Sequence, residues 1–324
     1  MELSLKHSIN EWKTSRGLSP YAEKTINKYI RDIKWLAPND YKDMEWAKNT
    51  KEISDKLSHF KPNTQRNYYN SLLIGLYASG FKKGQGVSKI YEAKRDMLNA
   101  NYENQGGKTD KQQIILKEID KESIEGMLNI MKKDLKTRHT HMLYVMISIY
   151  KHFAFRNDVA GMEIFPSHLF DEILYDERAT TNYLVLGKPP ESMSFILNDY
   201  KTSNKYGEKN LEIKSKELQN IISTWIKFKI GKRKDSNKEI INKVVYLFDW
   251  ATGNPLSRND VSHALSDTFN KYLGHSVSTT LLRKIYSTTI TDPNTATDEE
   301  IQEVIDQADA SGHSVKTKTK IYHK

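Results

Sequence analysis

Tyr183-Leu184-Val185-Leu186, Ser194-Phe195-Ile196-Leu197 and Leu211-Glu212-Ile213 are short apolar or alternating runs in a chain that elsewhere shows helical spacing. Their length and their β-branched and aromatic content mark them as strands. The last two flank the turn-rich Asn204-Lys205-Tyr206-Gly207 and are expected to pair as a β-hairpin. Working outward, helices are expected at 120–134 and 138–153 ahead of the strands, the second apolar on one side through Leu143, Met146, Ile147 and Tyr150. Helices resume at 215–229, 257–272, 279–289 and 298–309. The expected fold is mainly α with a small antiparallel β-sheet.

The first hundred residues read as a separate helical bundle. After Ser19-Pro20, the residues Ala22, Ile26, Tyr29, Ile30, Ile33 and Leu36 recur at three- and four-residue steps and form one apolar stripe. Further helices are expected at 49–59, from Pro62 to Gly80 through Tyr68, Leu72, Leu73, Leu76 and Tyr77, and at 87–99. Residues 104–113 are polar and glycine-containing, the strongest linker signal in the chain. The domains expected are a bundle over 1–103, a linker over 104–118 and a second domain over 119–324.

The chain of 324 residues carries 50 Lys and Arg against 41 Asp and Glu, a net charge of +9, which suits a polyanionic partner. The smaller N-terminal part holds the larger share of that excess. Cysteine is absent, which excludes disulfides, thiolate zinc sites and cysteine nucleophiles. His139 and His141, two apart, diverge on a helix and have no carboxylate cluster beside them, so neither a metal nor another cofactor is expected. No apolar run reaches the length of a membrane span, and the N-terminus lacks the apolar core of a signal peptide. A soluble, intracellular protein is expected.

Five short motifs follow one another in the second domain. Phe155-Arg156-Asn157-Asp158-Val159 comes after an apolar helix; Lys201-Thr202-Ser203 leads into Gly207 and Leu211-Glu212-Ile213. Tyr246-Leu247-Phe248 and Gly253-Asn254-Pro255-Leu256-Ser257 precede a helix; Thr280-Leu281-Leu282-Arg283 follows; then comes Gly312-His313-Ser314, with Tyr322 nine positions after the histidine. In this order they resemble the boxes of the tyrosine-recombinase (integrase) catalytic domain, over about residues 119–324. The N-terminal bundle is similar to the family's SAM-like core-binding domain, a clamp on duplex DNA.

The resemblance implies a catalytic set of Arg156, Lys201, Arg283, His313 and Tyr322. A guanidinium offers a charged fork of two hydrogen bonds to phosphate oxygens, and so Arg156 and Arg283 form the implied clamp. A lysine ammonium is a titratable donor suited to protonating a leaving 5′ oxygen, the role implied for Lys201, with Lys205 of the same hairpin as its rival. His313 is implied to bond the phosphate or to handle the tyrosine's proton. Where the family carries histidine or lysine, three before the second arginine, this chain has Thr280, which offers a hydroxyl but no acid or base near neutral pH. Unbroken helix from His313 to Tyr322 would advance about 13.5 Å and place them on opposite faces, so the backbone is expected to break within Lys316-Thr317-Lys318-Thr319-Lys320.

The activity implied is site-specific cleavage and rejoining of DNA through a 3′-phosphotyrosyl intermediate, without metal or ATP, in a mobile element or virus. Duplex DNA is the expected partner, and a homotetramer on DNA the expected assembly. The compartment is then wherever that DNA resides, a prokaryotic cytoplasm, a host nucleus or a viral factory. A type IB topoisomerase uses a similar residue set and is the alternative; a non-catalytic DNA-binding protein with a decayed site is the second. Lys61, Arg66, Lys82 and Lys83 in the bundle, and the run Lys227, Lys229, Lys232, Arg233 and Lys234, are further expected phosphate contacts. His275, in the other Gly-His-Ser triplet, is expected in a loop, and Tyr286 packed on the helix that presents Arg283.

Overall fold

The computed structural model describes residues 2–104, 108–153, 155–170, 172, 178–187, 193–230 and 244–286. The chain divides into two compact units, Met1–Lys108 and Thr109–Lys324.

In the first unit the helices are α1 (Glu2–Thr14), α2 (Glu23–Leu36), α3 (Thr50–Leu57), α4 (Pro62–Ala78) and α5 (Gly86–Asn104), with a 3₁₀ turn at Glu45–Lys48. The stripe of α2 does what its spacing predicts: Ile26, Ile30, Ile33 and Leu36 are buried against Leu72, Leu73 and Leu76 of α4 and Tyr91 of α5. Asn49 caps α3 by accepting from the Glu52 N–H at 3.3 Å, and Pro62 opens α4, where a missing N–H costs nothing. The buried Asp32 carboxylate accepts from Ser71 Oγ at 2.7 Å and Lys28 Nζ at 2.6 Å, which ties α2 to α4. Helix α1 leaves little trace in the apolar pattern, because among its described side chains Leu5 and Ile9 are the buried apolar anchors.

Among the described glycines of this bundle, Gly75 is the one with close neighbours. A Cβ there would lie 2.7 Å from Ile33 Cδ1 and 3.1 Å from Met44 Cε, both on buried side chains. Gly75→Ala gains about 1 kcal/mol of helix propensity, yet overpacking a filled core costs about 1–3 kcal/mol. The expected outcome is a lower urea midpoint; a raised midpoint would show that Ile33 and Met44 move aside freely.

The second unit begins earlier than the sequence pattern indicates. Asp110–Glu118, within the expected linker, is a helix (α6) closed by a Thr109/Gln112 capping box, and its Ile115 is buried in the second core. Its polar majority hides it, since Ile115 and Ile119 alone anchor it deeply. Next come α7 (Lys121–Lys132), capped by Asp120, and α8 (Arg138–His152), buried continuously from His141 to Tyr150. The strands are β1 (Glu163–Pro166), β2 (Tyr183–Leu186), β3 (Ser194–Leu197) and β4 (Lys209–Glu212), with short helices α9 (Ser167–Phe170) and α10 (Ser203–Tyr206) between them. Helices α11 (Lys216–Ile230), α12 (Arg258–Leu273) and α13 (Thr279–Tyr286) complete the described part.

The sheet runs in the order β1-β2-β3-β4. Strands β2, β3 and β4 are antiparallel, with Phe195 opposite both Leu184 and Leu211, as the hairpin reading requires. The expectation of a purely antiparallel sheet is corrected by β1, which pairs parallel to β2 with Ile164 opposite Leu184 and makes the sheet mixed. Strand β1 ends on a proline, a residue tolerated at sheet edges and a weak strand signal. The helix expected at 298–309 lies outside the described residues. Trp225 of α11 is fully buried and donates from Nε1 to the Leu247 carbonyl at 2.9 Å, fixing the segment that leads into α12.

Candidate active site

The turn that carries Arg156 is held by the core beneath it. Phe153 and Phe155 stack at 5.3 Å and meet the Phe195 ring of β3 edge-on at 5.1 and 5.2 Å. The Tyr150 hydroxyl donates to the Arg156 carbonyl, and the Arg156 N–H donates to Asp158 Oδ2 at 2.9 Å. Asp158 is only 6% exposed. Burial pushes its carboxyl above the usual range, opposed by the Arg156 N–H and by the positive fields of Arg258, Arg156 and Arg283.

Arg283 reaches the same place from α13, where it too is 6% exposed. The fields that reach Tyr150 agree: burial and the Asp158 charge push its phenol well up, while Arg283 opposes them. Two arginines from distant parts of the sequence therefore lie within electrostatic range of one buried carboxylate. A buried guanidinium needs an opposing charge, and Asp158 supplies one. Three guanidiniums against the two carboxylates of Asp158 and Asp199, the latter 3.1 Å from Arg258, leave an excess of positive charge.

Lys201 lies a few residues beyond the end of β3 and is exposed. Its neighbour Tyr200 is buried and donates from its hydroxyl to the Gly207 carbonyl at 2.8 Å, closing the turn between β3 and β4. Burial raises the Tyr200 phenol, with Tyr206 and Asp158 adding to the effect, so this turn also lies near Asp158. Asn182, ahead of β2, donates from Nδ2 to the carbonyls of Asp158 and Asp199 at 2.9 Å each and accepts at Oδ1 from the N–H groups of Asn198 and Asp199 at 2.8 Å each. Arg258, on the first turn of α12, donates to the Asp199 carbonyl at 2.9 Å and lies 3.1 Å from its carboxylate. Asn157 in turn donates to the Arg258 carbonyl at 2.8 Å.

Asn182, Asp199 and Arg258 are the residues that sequence reasoning missed. Asn182 stands in Thr180-Thr181-Asn182, which reads as an ordinary turn before a strand. The side chain of Lys205, the rival to Lys201, lies outside the described residues. Thr280 is exposed on the first turn of α13, three residues ahead of Arg283. Tyr286, at the end of that helix, packs against the core as expected, and burial, with Glu125, pushes its phenol far above the ordinary tyrosine value. His275 lies in the loop after α12, with its Nε2 against the Glu118 carboxylate. His313 and Tyr322 lie outside the described residues.

Among the expected phosphate contacts, Lys61 precedes the first turn of α4, and Arg66 on that helix lies over the Tyr102 ring at 5.1 Å. Lys82 lines an open cleft with Lys48, Phe81 and Ile90, and Lys83 carries its charge toward Glu92. Lys229 requires a correction: its side chain is 6% exposed, pairs with Asp249 at 2.8 Å and donates to the Tyr246 carbonyl. Asp249 also accepts from Arg138. Burial pulls the Lys229 ammonium below the ordinary lysine value, and Asp249 opposes that. The helical spacing of α11 turns this lysine inward, which a run of basic residues does not reveal. Lys232, Arg233 and Lys234 lie outside the described residues. No group of three or more His, Asp or Glu among the described residues can hold a metal, and no helix there is long and apolar enough to cross a membrane.

No family profile and no curated protein matches this chain. Among solved structures it is similar to the XerA recombinase, at 10% identity and a TM-score of 0.39, over 100% of this chain and 94% of that one. It is similar also to the XerH site-specific recombinase bound to its difH substrate in a pre-cleavage complex, at 13% identity and a TM-score of 0.49, over 98% of this chain and 82% of that one.

Proposed function

We propose that this chain is a site-specific DNA recombinase that cleaves and rejoins strands through a tyrosyl ester. What supports the reading is that the Arg156 turn holds buried Asp158 through its backbone N–H, and that Arg283 and the turn leading to Lys201 lie within electrostatic range of the same carboxylate. Residues singled out by motif alone thus lie in one another's electrostatic range, which supports reading them as a site for a phosphodiester. In the proposed reaction the Tyr322 oxygen attacks phosphorus, the bond to the 5′ oxygen breaks, and that oxygen takes a proton from Lys201. The product is a 3′-phosphotyrosyl ester and a free 5′ hydroxyl. A 5′ hydroxyl from a second strand then displaces the tyrosine, so the ester itself conserves the bond energy and no ATP or metal is called for. Arg156 and Arg283 stabilise charge on the nonbridging oxygens. His313 bonds the phosphate or relays the tyrosine's proton, and Thr280 contributes a hydroxyl where an acid or base is more usual.

The N-terminal unit serves as the clamp on duplex DNA in this reading, and four protomers assemble on paired sites. The test is incubation with nicked duplexes that trap the ester, followed by denaturing gels. A DNA-linked band that forms without ATP or magnesium is expected. No adduct over a library of candidate sites would favour a non-catalytic DNA-binding protein. One protein per duplex in light scattering, together with efficient plasmid relaxation, would favour a topoisomerase.

A further inference from the structure

The residue best placed to relate the two halves of this site is a buried asparagine bonded to backbone on both sides. Asn182 is 4% exposed, and its amide makes four hydrogen bonds of 2.8–2.9 Å, every one to backbone. Two go to opposite sides of the site: Nδ2 donates to Asp158 in the Arg156 turn and to Asp199, two residues before Lys201. The bonding fixes the orientation of the amide, because Oδ1 faces two N–H donors and Nδ2 faces two carbonyls. The backbone of Asn182 is held as well, since its carbonyl accepts from the Glu163 N–H at 2.9 Å and so rests on β1. Asn198 returns the tie by donating from its own Nδ2 to the Thr181 carbonyl at 3.0 Å.

A buried side chain with all its polar capacity spent on two separate loops acts as a gauge between them. We infer that Asn182 is a positioning residue that holds the Lys201 turn at a fixed distance from the Arg156 turn, so that the lysine reaches the leaving oxygen of a phosphate gripped by the arginines. The inference rests on the strand-transfer reading above. Aspartate at this position lacks both donors and would set a carboxylate against the carbonyls of Asp158 and Asp199. Leucine would leave the backbone groups buried and unsatisfied. Only an amide of this length serves both loops.

The effect of losing the gauge falls on proton delivery, which separates it from a general loss of structure. Cleavage rates are compared on an ordinary phosphodiester and on a substrate with sulfur in the 5′-bridging position, whose thiolate leaves without a proton. Asn182→Asp is expected to slow the ordinary substrate by on the order of 10²-fold, the loss that a misplacement of about 1 Å produces. Sulfur should restore most of that loss, as it should for Lys201→Ala, with DNA affinity unchanged. Asn198→Ala removes one bond of the same tie and should show the same selective rescue at smaller size; it decides the matter if Asn182→Asp fails to fold. Equal slowing on both substrates, or none on either, overturns the assignment while leaving the recombinase reading intact. A wild-type chain that forms no adduct, or a Lys201→Ala variant that sulfur does not rescue, overturns the underlying reading and this assignment with it.

Discussion

Tyr322→Phe is expected to abolish the covalent DNA adduct while folding and DNA affinity hardly change, because the substitution keeps the ring and deletes the one reactive oxygen. A phenol is a poor nucleophile near neutral pH until its proton is removed or the phenolate is stabilised. In the proposed reaction Arg156, Arg258 and Arg283, all within electrostatic range of Asp158, would supply that stabilisation at the target phosphate. The natural rival is Tyr286, three residues after Arg283 on the same helix. Its surroundings do not suit a nucleophile, because burial, reinforced by Glu125, pushes its phenol up and disfavours the phenolate there. Peptide mapping of the trapped wild-type complex should therefore place the DNA on a fragment that contains Tyr322. An adduct that persists in Tyr322→Phe, or maps to Tyr286, would falsify the assignment.

Arg283→Ala carries the second large effect. Removing one preformed donor to charge that grows in the transition state costs about 10²–10³-fold in rate. The loss should appear in cleavage with DNA binding retained, since the rest of the basic surface is untouched. Arg283 is buried, however, and its charge opposes the upward push of burial on the Asp158 carboxyl. Stability must therefore be measured beside activity. A carboxyl whose folded pKa is raised binds protons in the folded state that the unfolded chain has released. Its contribution to stability is thus fullest below the ordinary carboxylate pKa and is lost as pH rises through the folded value. Without Arg283 that window widens upward, and the variant should lose more stability than wild type between acidic and neutral pH. Arg283→Lys keeps the charge and should recover stability better than rate, because a point charge cannot reproduce the fork. Cleavage near the wild-type rate in Arg283→Ala removes the central assignment.

The parts of this fold legible in the sequence are those whose apolar spacing is strong. The stripe of α2, the all-round apolar α8 and the runs of β2 and β3 stand where periodicity puts them, because each owes its place to burial that the pattern records. Helix α6 is illegible because few of its residues are buried and a capping box completes it, and strand β1 because it is four residues long, ends on proline and is completed by pairing with β2. In the candidate site, Arg156 and Arg283 stand out in the sequence as motifs. Asn182, Asp199 and Arg258 are not, because their roles are hydrogen bonds between loops distant in sequence, which leave no spacing to read.

The inward turn of Lys229 bears on how tightly this protein would grip the duplex proposed as its partner. Its charge is met inside the protein by Asp249, which Arg138 shares. A cation engaged in this way displaces no condensed ion from the sheath around a nucleic-acid duplex. The steepness with which affinity declines as ionic strength rises counts only the cations that meet phosphate. The formal excess of +9 is thus a poor guide to that steepness, and a basic run counted along the chain overstates the ionic footprint of the folded molecule.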